Sequence, residues 1–422
     1  MKIRSCTVTP VAFADPPLLS AFGLHDPVAL RSIIQLHCDD GLVGLGESYG
    51  DLVYLTELNR AAEALVGIDP LNVNDVKRAL SAVLGGAPAP AESAVLHGAT
   101  RLFRIVYAAF EMACLDIKGK HLGVSVSQLL GGRTRDSVEC SGYLFYRLDR
   151  HPAGLADGWG RASEPHEIVE QARRMVDRFG FQSLKLKGGV RDPEIEIETI
   201  EALHESFPSS PLRLDPNTTW DVETSIRATQ RLAGRLEYLE DPVAGLAAMS
   251  EVARASKVPL ATNMCTVSFD DLPETIRLDA VQIILADPHF WGGLTASMTL
   301  AALCETWRLG LSMHSNSHLG ISLAAMAHLA AAAPNLSYAI DTHWPWKGDD
   351  DDVVRNAPSI IGGELAVPLG PGLGVDLDAD RLEKLHRAYE ASPVHSTDQA
   401  RYIRSVPNGL VSFVRPVVSG RL

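Results

Sequence analysis

Three short stretches decide the fold, and they are PLRLDPN (211–217), LEYLEDP (236–242) and PLATNM (259–264). Each is an apolar run with one oxygen-bearing side chain near its C-terminal end: Asp215, Glu240 and Asn263. These positions are 25 and 23 residues apart, about the length of one strand, one helix and two loops. In a (β/α)8 barrel, active-site residues lie at the C-terminal ends of the strands. The pattern therefore predicts an α/β protein with such a barrel and a site at that end.

The same pattern extends in both directions along the chain. Five further strand-like runs are VECSGYLFY (138–146), QSLKLKGG (182–189), VQIILADP (281–288), LGLSMHS (309–315) and YAIDTHW (338–344). Amphipathic stretches such as 167–179 lie between the runs and are typical of helices. Eight strands that alternate with helices match the strand count of a TIM-like barrel.

The first part of the chain is organised differently. Strand-like runs at 2–13 and 29–48 come first, and the second contains an Asp40–Gly41 hairpin turn. Helical patterns follow at about 55–84 and 104–130, and GGAPAP (85–90) separates them. Strands followed by helices are typical of an α+β unit.

Three parts of the chain are therefore predicted. They are an N-terminal α+β capping domain over 1–135, a barrel domain over 136–362, and a C-terminal tail over 363–422 that packs on the cap and completes it. A segment rich in Gly, Pro and Asp at 147–164 is predicted to form a loop over the site.

Composition limits the function. The chain has 422 residues, enough for two domains, and its 46% hydrophobic and 21% charged content is typical of a globular protein. A formal charge of −14 disfavours nucleic-acid and anionic-membrane partners. The six cysteines form no CxxC pair, and the N-terminus lacks the apolar core of a signal peptide. We therefore expect a cytoplasmic enzyme that acts on a small molecule.

Asp215, Glu240 and Asn263 are candidate metal ligands. A single acidic residue at a strand end is more often a helix cap or an ion-pair partner. Three such positions in consecutive βα units favour a shared cation, and their oxygen atoms favour Mg²⁺. Two carboxylates and one amide would leave coordination positions open for substrate oxygens.

Lys185 and Lys187 are candidate catalytic residues. Residues i and i+2 of a strand share a face, so both ammonium groups are expected to point to the metal side. Like-charge repulsion is expected to lower the pKa of each lysine and to make Lys187 a general base near neutral pH. The alternative is that both lysines only neutralise Asp215 and Glu240.

His314 is the second candidate base, and Asp287 is the residue expected to orient it. A carboxylate that accepts from one imidazole nitrogen fixes the tautomer and raises the basicity of the ring. His318 follows His314 at a spacing that can bind zinc on a helix, but no HExxH glutamate accompanies the pair. A lysine on one wall and an Asp–His pair on the other suit proton abstraction.

Seven motifs together resemble the glucarate dehydratase subgroup of the enolase superfamily: KLKGG (185–189), LDPN (214–217), EDP (240–242), ATNM (261–264), ADPHFW (286–291), HSNSH (314–318) and DTHW (341–344). The resemblance also covers HLGVSVSQLLGG (121–132) in the cap and PGLGVDLD (371–378) in the tail. It implies Mg²⁺ as the cofactor of the three candidate ligands, two opposed bases, and a homo-oligomer.

The resemblance also implies a reaction. The proton α to a carboxylate of an acid sugar is removed and the β-hydroxyl is lost, with D-glucarate converted to 5-dehydro-4-deoxy-D-glucarate as the first candidate reaction. The candidate substrate-binding residues are His25, Ser20, Tyr143, Asn217, Asn316 and His343.

Two positions depart from the subgroup's pattern. The cap has Ser20 where the subgroup has Asn, and the tail has His395 or Ser396 where the subgroup has Arg. Arg401 and Arg404 are the candidate replacements for that arginine. Three other hypotheses therefore stay open: a dehydratase for a different acid sugar, a racemase or epimerase, and a non-catalytic paralogue.

Overall fold

The computed structural model describes residues 1–85, 99–154, 158–348, 350–407 and 409–412. Most of the GGAPAP segment, the middle of the 147–164 loop and the last ten residues of the predicted tail lie outside the described residues.

The N-terminal part contains a three-stranded sheet and a small hairpin. The strands are β1 (Ile3–Ala14), β2 (Leu19–Ser20), β3 (Gly23–Leu24), β4 (Val28–Cys38) and β5 (Val43–Tyr49). The sheet is antiparallel in the order β1-β4-β5, and β2 pairs with β3. The predicted turn at Asp40–Gly41 connects β4 and β5, and Gly41 has a φ of 93°, which favours glycine.

Helices follow the sheet along the chain. They are α1 (Leu52–Ala64), α2 (Val73–Leu84), α3 (Ala99–Leu122) and α4 (Val126–Leu129). Each of the two predicted helices is therefore divided in the structure. Helix α1 packs on β1, while α3 packs on β5. Strand β5 approaches α3 closely at Gly46, where an added Cβ atom would lie 2.1 Å from the backbone oxygen of Ala109. Glycine is required there because no side chain fits between the strand and the helix.

Eight parallel strands form the barrel. They are β6 (Ser137–Phe145), β7 (Ser183–Lys187), β8 (Leu212–Asp215), β9 (Tyr238–Glu240), β10 (Leu260–Thr262), β11 (Ile283–Ala286), β12 (Gly310–Met313) and β13 (Ile340–Thr342). Strands β6 to β12 pair in chain order, and β13 pairs with β6. Between β12 and β13, the Ser312 hydroxyl donates to the Ala339 carbonyl at 2.8 Å. All eight predicted strands are confirmed.

Helices alternate with these strands. They are α5 (Pro165–Phe179), α6 (Pro193–Ser206), α7 (Val222–Arg231), α8 (Leu246–Ala255), α9 (Leu272–Leu278), α10 (Pro288–Trp291), α11 (Leu294–Trp307) and α12 (Gly320–Ala332). Every residue of α12 is buried, because this helix contacts both the barrel and the cap strand β5. It therefore connects the two parts of the molecule.

The chain after the barrel contacts both parts. It contains β14 (Ile360–Ile361), β15 (Glu364–Ala366) and α13 (Ala379–Ala391). Strand β15 pairs antiparallel with β6 of the barrel, and α13 lies against β1 of the cap. The predicted boundary at 362/363 falls in the turn of the β14–β15 hairpin, and the division into three parts stays a prediction. Among the described helices, none has the length and apolar character needed to cross a membrane.

Candidate active site

The predicted site residues meet at one mouth of the barrel. In order around the barrel they are Lys185 and Lys187 on β7, Asp215 on β8, Glu240 on β9, Asn263 after β10, Asp287 after β11, His314 after β12 and His343 after β13. All eight strands run parallel, so their C-terminal ends face the same side. This is the side on which barrel enzymes carry their active sites.

A buried cluster of ammonium and carboxylate groups occupies one side of the mouth. Lys187 Nζ lies 2.5 Å from Asp215 Oδ2. Lys185 Nζ contacts Glu240 and lies 2.8 Å from Asp341 Oδ2 and 3.7 Å from Asp215 Oδ2. Lys185, Glu240 and Asp341 are fully buried. Both lysines point inward, as their i, i+2 spacing predicts.

The expected effect on the pKa of Lys185 is wrong. Burial by itself lowers the pKa of this lysine, but Asp341, Glu240 and Asp215 together raise it well above its usual value. The expectation considered only the neighbouring lysine, whereas the folded chain brings three carboxylates to Lys185. These carboxylates therefore favour the ammonium form of Lys185, and of the two lysines only Lys187 remains a candidate base.

Asp215 and Glu240 affect each other's protonation. Burial raises the pKa of Asp215, but Lys187 and Lys185 outweigh this effect and hold it below its ordinary value. Burial, followed by the charge of Asp215, raises the pKa of Glu240 well above its ordinary value. Two carboxylates this close cannot both be ionised cheaply without a further cation.

Asp241, which follows the candidate ligand Glu240, holds the loop that carries Asn263. Its carboxylate accepts from the Thr262 hydroxyl at 2.5 Å, from the backbone amide of Asn263 at 2.8 Å and from the backbone amide of Met264 at 3.1 Å. Asp241 itself has a φ of 38°, a conformation that costs free energy in a residue with a side chain. The turn directs the Asp241 side chain to the next strand end, so that the loop after β10 is fixed.

His314 and Asp287 form the predicted pair. His314 Nδ1 lies 3.0 Å from Asp287 Oδ2, and the imidazole stacks on Phe290 with ring centroids 5.7 Å apart. Because a carboxylate only accepts hydrogen bonds, Nδ1 carries the proton and Nε2 is left as the basic atom. Burial lowers the pKa of His314, although Asp287 opposes this effect.

The two candidate bases lie on different walls. Lys187 is on the second barrel strand and His314 follows the seventh. The strand ends that carry Asp215, Glu240 and Asn263 lie between them along one side of the barrel. A substrate bound over these three residues would therefore have a base on either side.

Two predicted substrate-binding histidines meet at the edge of the mouth. The rings of His25 and His343 stack with centroids 6.1 Å apart. Asp15, which follows β1, lies 3.0 Å from His25 Nδ1 and 3.8 Å from His343 Nε2. Although burial opposes it, the two histidines lower the pKa of Asp15 to about 2. The cap therefore supplies an ionised group that holds a histidine from each domain.

Three other predicted residues contact the site. The Tyr143 hydroxyl donates to Asp341 Oδ2 at 3.1 Å. The Asn217 backbone amide donates to Asp215 Oδ1, and its side-chain amide donates to the Asp215 carbonyl, both at 3.0 Å. The Asn316 side-chain amide donates to the Tyr49 hydroxyl at 2.6 Å.

Ser20 makes its contacts with the tail. Its hydroxyl contacts the Gln399 side chain, and the neighbouring Leu24 amide donates to the Gln399 carbonyl at 2.9 Å. Arg401, a candidate replacement for the subgroup's arginine, pairs instead with Asp26 at 3.1 Å. The tail therefore docks on the cap loop that carries Ser20, and Arg401 helps to hold it.

Among the described residues, two Asp–His clusters bring their ligand atoms close enough together to hold a metal ion. One is the Asp15–His25–His343 group, and the other contains Asp287, His289 and His318. In the second cluster both oxygens of Asp287 already accept from histidines. His318 Nδ1 lies 3.1 Å from Met326 Sδ. His318 is therefore a packed histidine, and the geometry does not favour a zinc site built from His314 and His318.

Comparison with known proteins identifies the family. Residues 3–131 match the mandelate racemase / muconate lactonizing enzyme N-terminal domain, and residues 167–381 match the enolase C-terminal domain-like family. A relative from Streptomyces coelicolor, named probable glucarate dehydratase, is 47% identical over 399 residues, 92% of each chain. The chain belongs to the enolase superfamily.

Solved structures of enolase-superfamily proteins agree with this fold. An enolase from Thermobispora bispora, complexed with magnesium and formate, is 48% identical with a TM-score of 0.94 and covers 96% of this chain and 97% of its own. An enolase from Pseudomonas fluorescens with bound magnesium, potassium and tartrate is 45% identical with a TM-score of 0.93 and covers 96% of each chain. The predicted capping domain and barrel are confirmed.

Mg²⁺ is the characteristic cofactor of the enolase superfamily, and the residues of this chain fit it. Glu240 Oε1 is buried and has no hydrogen-bond partner among the described residues. The adjacent Asp215 carboxylate repels it, which is the condition that a bound cation relieves. Asp215, Glu240 and Asn263 would hold the ion with oxygen atoms, as Mg²⁺ prefers.

Several residues of this enolase-superfamily site were missed in the sequence. Asp341, Asp241, Asp15 and His289 each contact a predicted site residue. Asp341 had a usable signal, because it precedes His343 by two residues on a strand and therefore shares its face. No feature of the sequence indicates Asp15 as a site residue, since only the folded cap brings the end of β1 to the barrel mouth.

Proposed function

We propose that this chain is a Mg²⁺-dependent acid-sugar dehydratase that converts D-glucarate to 5-dehydro-4-deoxy-D-glucarate. One observation carries the proposal: Lys187 and the His314–Asp287 pair lie on different walls of a mouth whose floor carries the Asp215–Glu240 pair. The 47% identity to a probable glucarate dehydratase supports the choice of substrate.

The first step is removal of the proton α to a carboxylate. This proton is very weakly acidic, and bound Mg²⁺ supplies electrostatic stabilisation of the negative charge that develops on the substrate carboxylate. Lys185 adds a fixed positive charge, because three carboxylates keep it protonated. Of Lys187 and His314, the base that faces the C–H bond takes the proton, so the configuration at that carbon decides which base acts.

The second step is loss of the β-hydroxyl. The electron pair left by the proton forms the new C–C double bond as the C–O bond breaks, and the hydroxyl leaves as water after accepting a proton. We assign this proton to the imidazolium that His314 becomes when it removes the α-proton in the first step, because an imidazolium is a much stronger acid than an ammonium. The enol that is formed then tautomerises to the α-keto acid. The stacked Phe290 and the Asp287 hydrogen bond fix the ring in the orientation that both steps need.

The rest of the substrate would be bound by groups around the mouth. We assign His25, His343, Tyr143, Asn217 and Asn316 to the hydroxyl and carboxylate groups. Ser20 would act together with the tail, because its hydroxyl contacts Gln399. The cap and the tail would then select among acid sugars while the barrel carries out the proton transfer.

An assay of product formation tests the proposal. Purified protein is incubated with D-glucarate and a panel of other acid sugars, with Mg²⁺ or with a chelator, and α-keto acid is measured. Product from D-glucarate that needs Mg²⁺ supports the proposal. Product from another acid sugar only would overturn the substrate assignment and keep the reaction, and no product from any panel member would favour the non-catalytic hypothesis.

The opposed bases also favour a second function. If one base removes the α-proton and the base on the opposite wall returns a proton, the configuration at the α-carbon is inverted, which is epimerisation of a hydroxy acid. The same incubation in D₂O separates the two reactions, because an epimerase gives deuterium at the α-carbon without loss of water.

A cytoplasmic location and a homo-oligomeric state belong to the same proposal. The six cysteines are all free thiols, and four of them are buried, which suits a reducing compartment. Light scattering of the purified protein measures the oligomeric state.

A further inference from the structure

Asp287 accepts hydrogen bonds from two histidines. Its Oδ2 lies 3.0 Å from Nδ1 of His314, and its Oδ1 lies 3.1 Å from Nδ1 and 2.9 Å from the backbone nitrogen of His289. Asp287 and His289 are fully buried. The position of the carboxylate relative to His314 is therefore set from both sides.

The second histidine connects Asp287 to the capping domain. Because the carboxylate only accepts, His289 donates from Nδ1, and Nε2 of the neutral ring is an acceptor. Nε2 lies 3.2 Å from the Ser322 hydroxyl, which must therefore donate to it. The hydroxyl oxygen lies 3.4 Å from a guanidinium nitrogen of Arg31, which can only donate, and Arg31 pairs with Glu47 at 2.8 Å.

We propose that His289 is a positioning residue for the His314–Asp287 pair, and that the Arg31–Glu47 pair of the cap fixes its tautomer through Ser322. Arg31 donates to the Ser322 hydroxyl oxygen, which orients the hydroxyl proton toward His289. His289 then presents its own proton to Asp287, and the other carboxylate oxygen is left for His314. The catalytic consequence of this chain depends on the proposed role of His314 as a base.

The surroundings of His289 fix the orientation of its ring. Its ring lies 4.9 Å from that of His318 and 5.9 Å from that of Tyr49, measured between centroids. Asp287 is the carboxylate that contacts it, and the charges of Arg31 and Glu47 lie behind Ser322 and oppose each other. The only direct ionic neighbour of His289 is therefore Asp287 among the described residues.

Two variants of His289 test the inference. H289F removes the Nδ1–H group that donates to Asp287, and H289N has a side-chain amide that can replace this donor. Loss of the donor leaves Asp287 a stronger acceptor for His314. In H289F the measured pKa of His314 should therefore rise by about one unit, and kcat should fall by about tenfold or more. H289N should restore most of both values. H328N is the control, since His328 is a buried histidine of α12, the helix that carries Ser322, and bonds the Leu373 carbonyl instead.

The primary readout is nitrogen NMR of histidine-labelled, Mg²⁺-loaded protein without substrate, which gives the titration of His314 whether or not D-glucarate reacts. The pH profile of turnover is the second readout. A folded H289F in which His314 titrates as in the wild type would overturn the inference. A wild type without turnover would contradict the proposed function only, since the titration is measured separately.

The variant S322A tests the inference if H289F does not fold. It removes only the hydroxyl that fixes the His289 tautomer, and the backbone bond of Ser322 to Glu47 stays. The nitrogen shift of His289 Nε2 should then change, because this atom loses the hydroxyl group that donates to it. Unchanged His289 shifts in S322A would overturn the inference.

Discussion

Asp341 on the last barrel strand lies 2.8 Å from Lys185 on the second. The same carboxylate accepts from the Tyr143 hydroxyl at 3.1 Å and lies 3.4 Å from the Arg213 guanidinium. One side chain therefore neutralises two buried cations and ties β13 to the strands next to the metal side. This arrangement explains why Lys185 is held as a cation while Lys187 is left for chemistry.

Replacement of Asp341 by Asn is predicted to destabilise the fold. Lys185 and Arg213 would stay buried with one carboxylate fewer, a loss of about 3–5 kcal/mol in the free energy of unfolding. Urea unfolding measures the change. D351N is the control, because the Asp351 side chain pairs with the largely exposed Lys384 at 3.6 Å, and this variant should change the free energy of unfolding by less than about 1 kcal/mol. Equal effects of the two variants would contradict the role given to Asp341.

Replacement of Asp241 by Asn is predicted to weaken Mg²⁺ binding. Asp241 accepts three hydrogen bonds from the loop that carries Asn263, and an amide cannot accept all of them. Affinity should fall by about 10- to 100-fold, as for other residues that orient a metal ligand. Calorimetric titration with Mg²⁺ measures it, and D221N, which changes only the N-cap of α7, serves as the control. Unchanged affinity in D241N would show that the loop holds its position without Asp241.

The pH dependence of stability should contain a contribution from Glu196. This buried carboxyl accepts from the backbone amides of Gly189, Val190 and Arg191, yet burial raises its pKa from 4.5 to about 7. A raised pKa in the folded state gives stability that is complete below pH 4.5 and is lost as the pH rises through about 7. Relative to E196Q, the free energy of unfolding of the wild type should fall by about 3 kcal/mol as the pH rises from 4.5 to about 7.

Unfolding by urea at a series of pH values tests this prediction. The difference between the wild type and E196Q is the relevant quantity, because the Gln side chain also loses an acceptor at every pH. A difference that does not vary between pH 4.5 and 7 would contradict the assignment.

The pH dependence of activity should reflect His314. As a base His314 must be neutral, and burial lowers its pKa below 6.5 despite the opposing charge of Asp287. The acid limb of α-proton exchange is therefore predicted below pH 6.5. Rates of deuterium exchange measured from pH 4.5 to 9 locate it, and an acid limb above pH 7 would contradict the account. D287N should move the limb lower still and reduce the rate by about 100-fold or more, because the tautomer is no longer fixed.

The barrel could be predicted because its signal is local. Each strand is a short apolar run with a polar residue at its end, and all eight positions from 138–146 to 338–344 became strands. The helices of the cap are harder to predict from the sequence. The pattern at 55–84 predicts one helix, but the first helix ends at Ala64 and the next begins at Val73, with Gly67 at a φ of 84° between them.

The charges of the site could be predicted only in part. The sequence places Lys185 and Lys187 on one face, and the structure agrees. The sequence gives no indication that Asp341, 156 residues later, reaches Lys185. The predicted direction of the pKa shift of this lysine is therefore wrong. The contact of Ser20 with Gln399 spans 379 residues, and no local pattern reports such a pairing.

The most direct test of the two-base site is the reaction of D-glucarate with Mg²⁺ in D₂O, followed by NMR for the wild type, K187A, H314A and the double variant. The account predicts a keto-deoxy acid from the wild type, and no product and no α-deuterium above background from the double variant. Turnover that is undiminished in both single variants would contradict it.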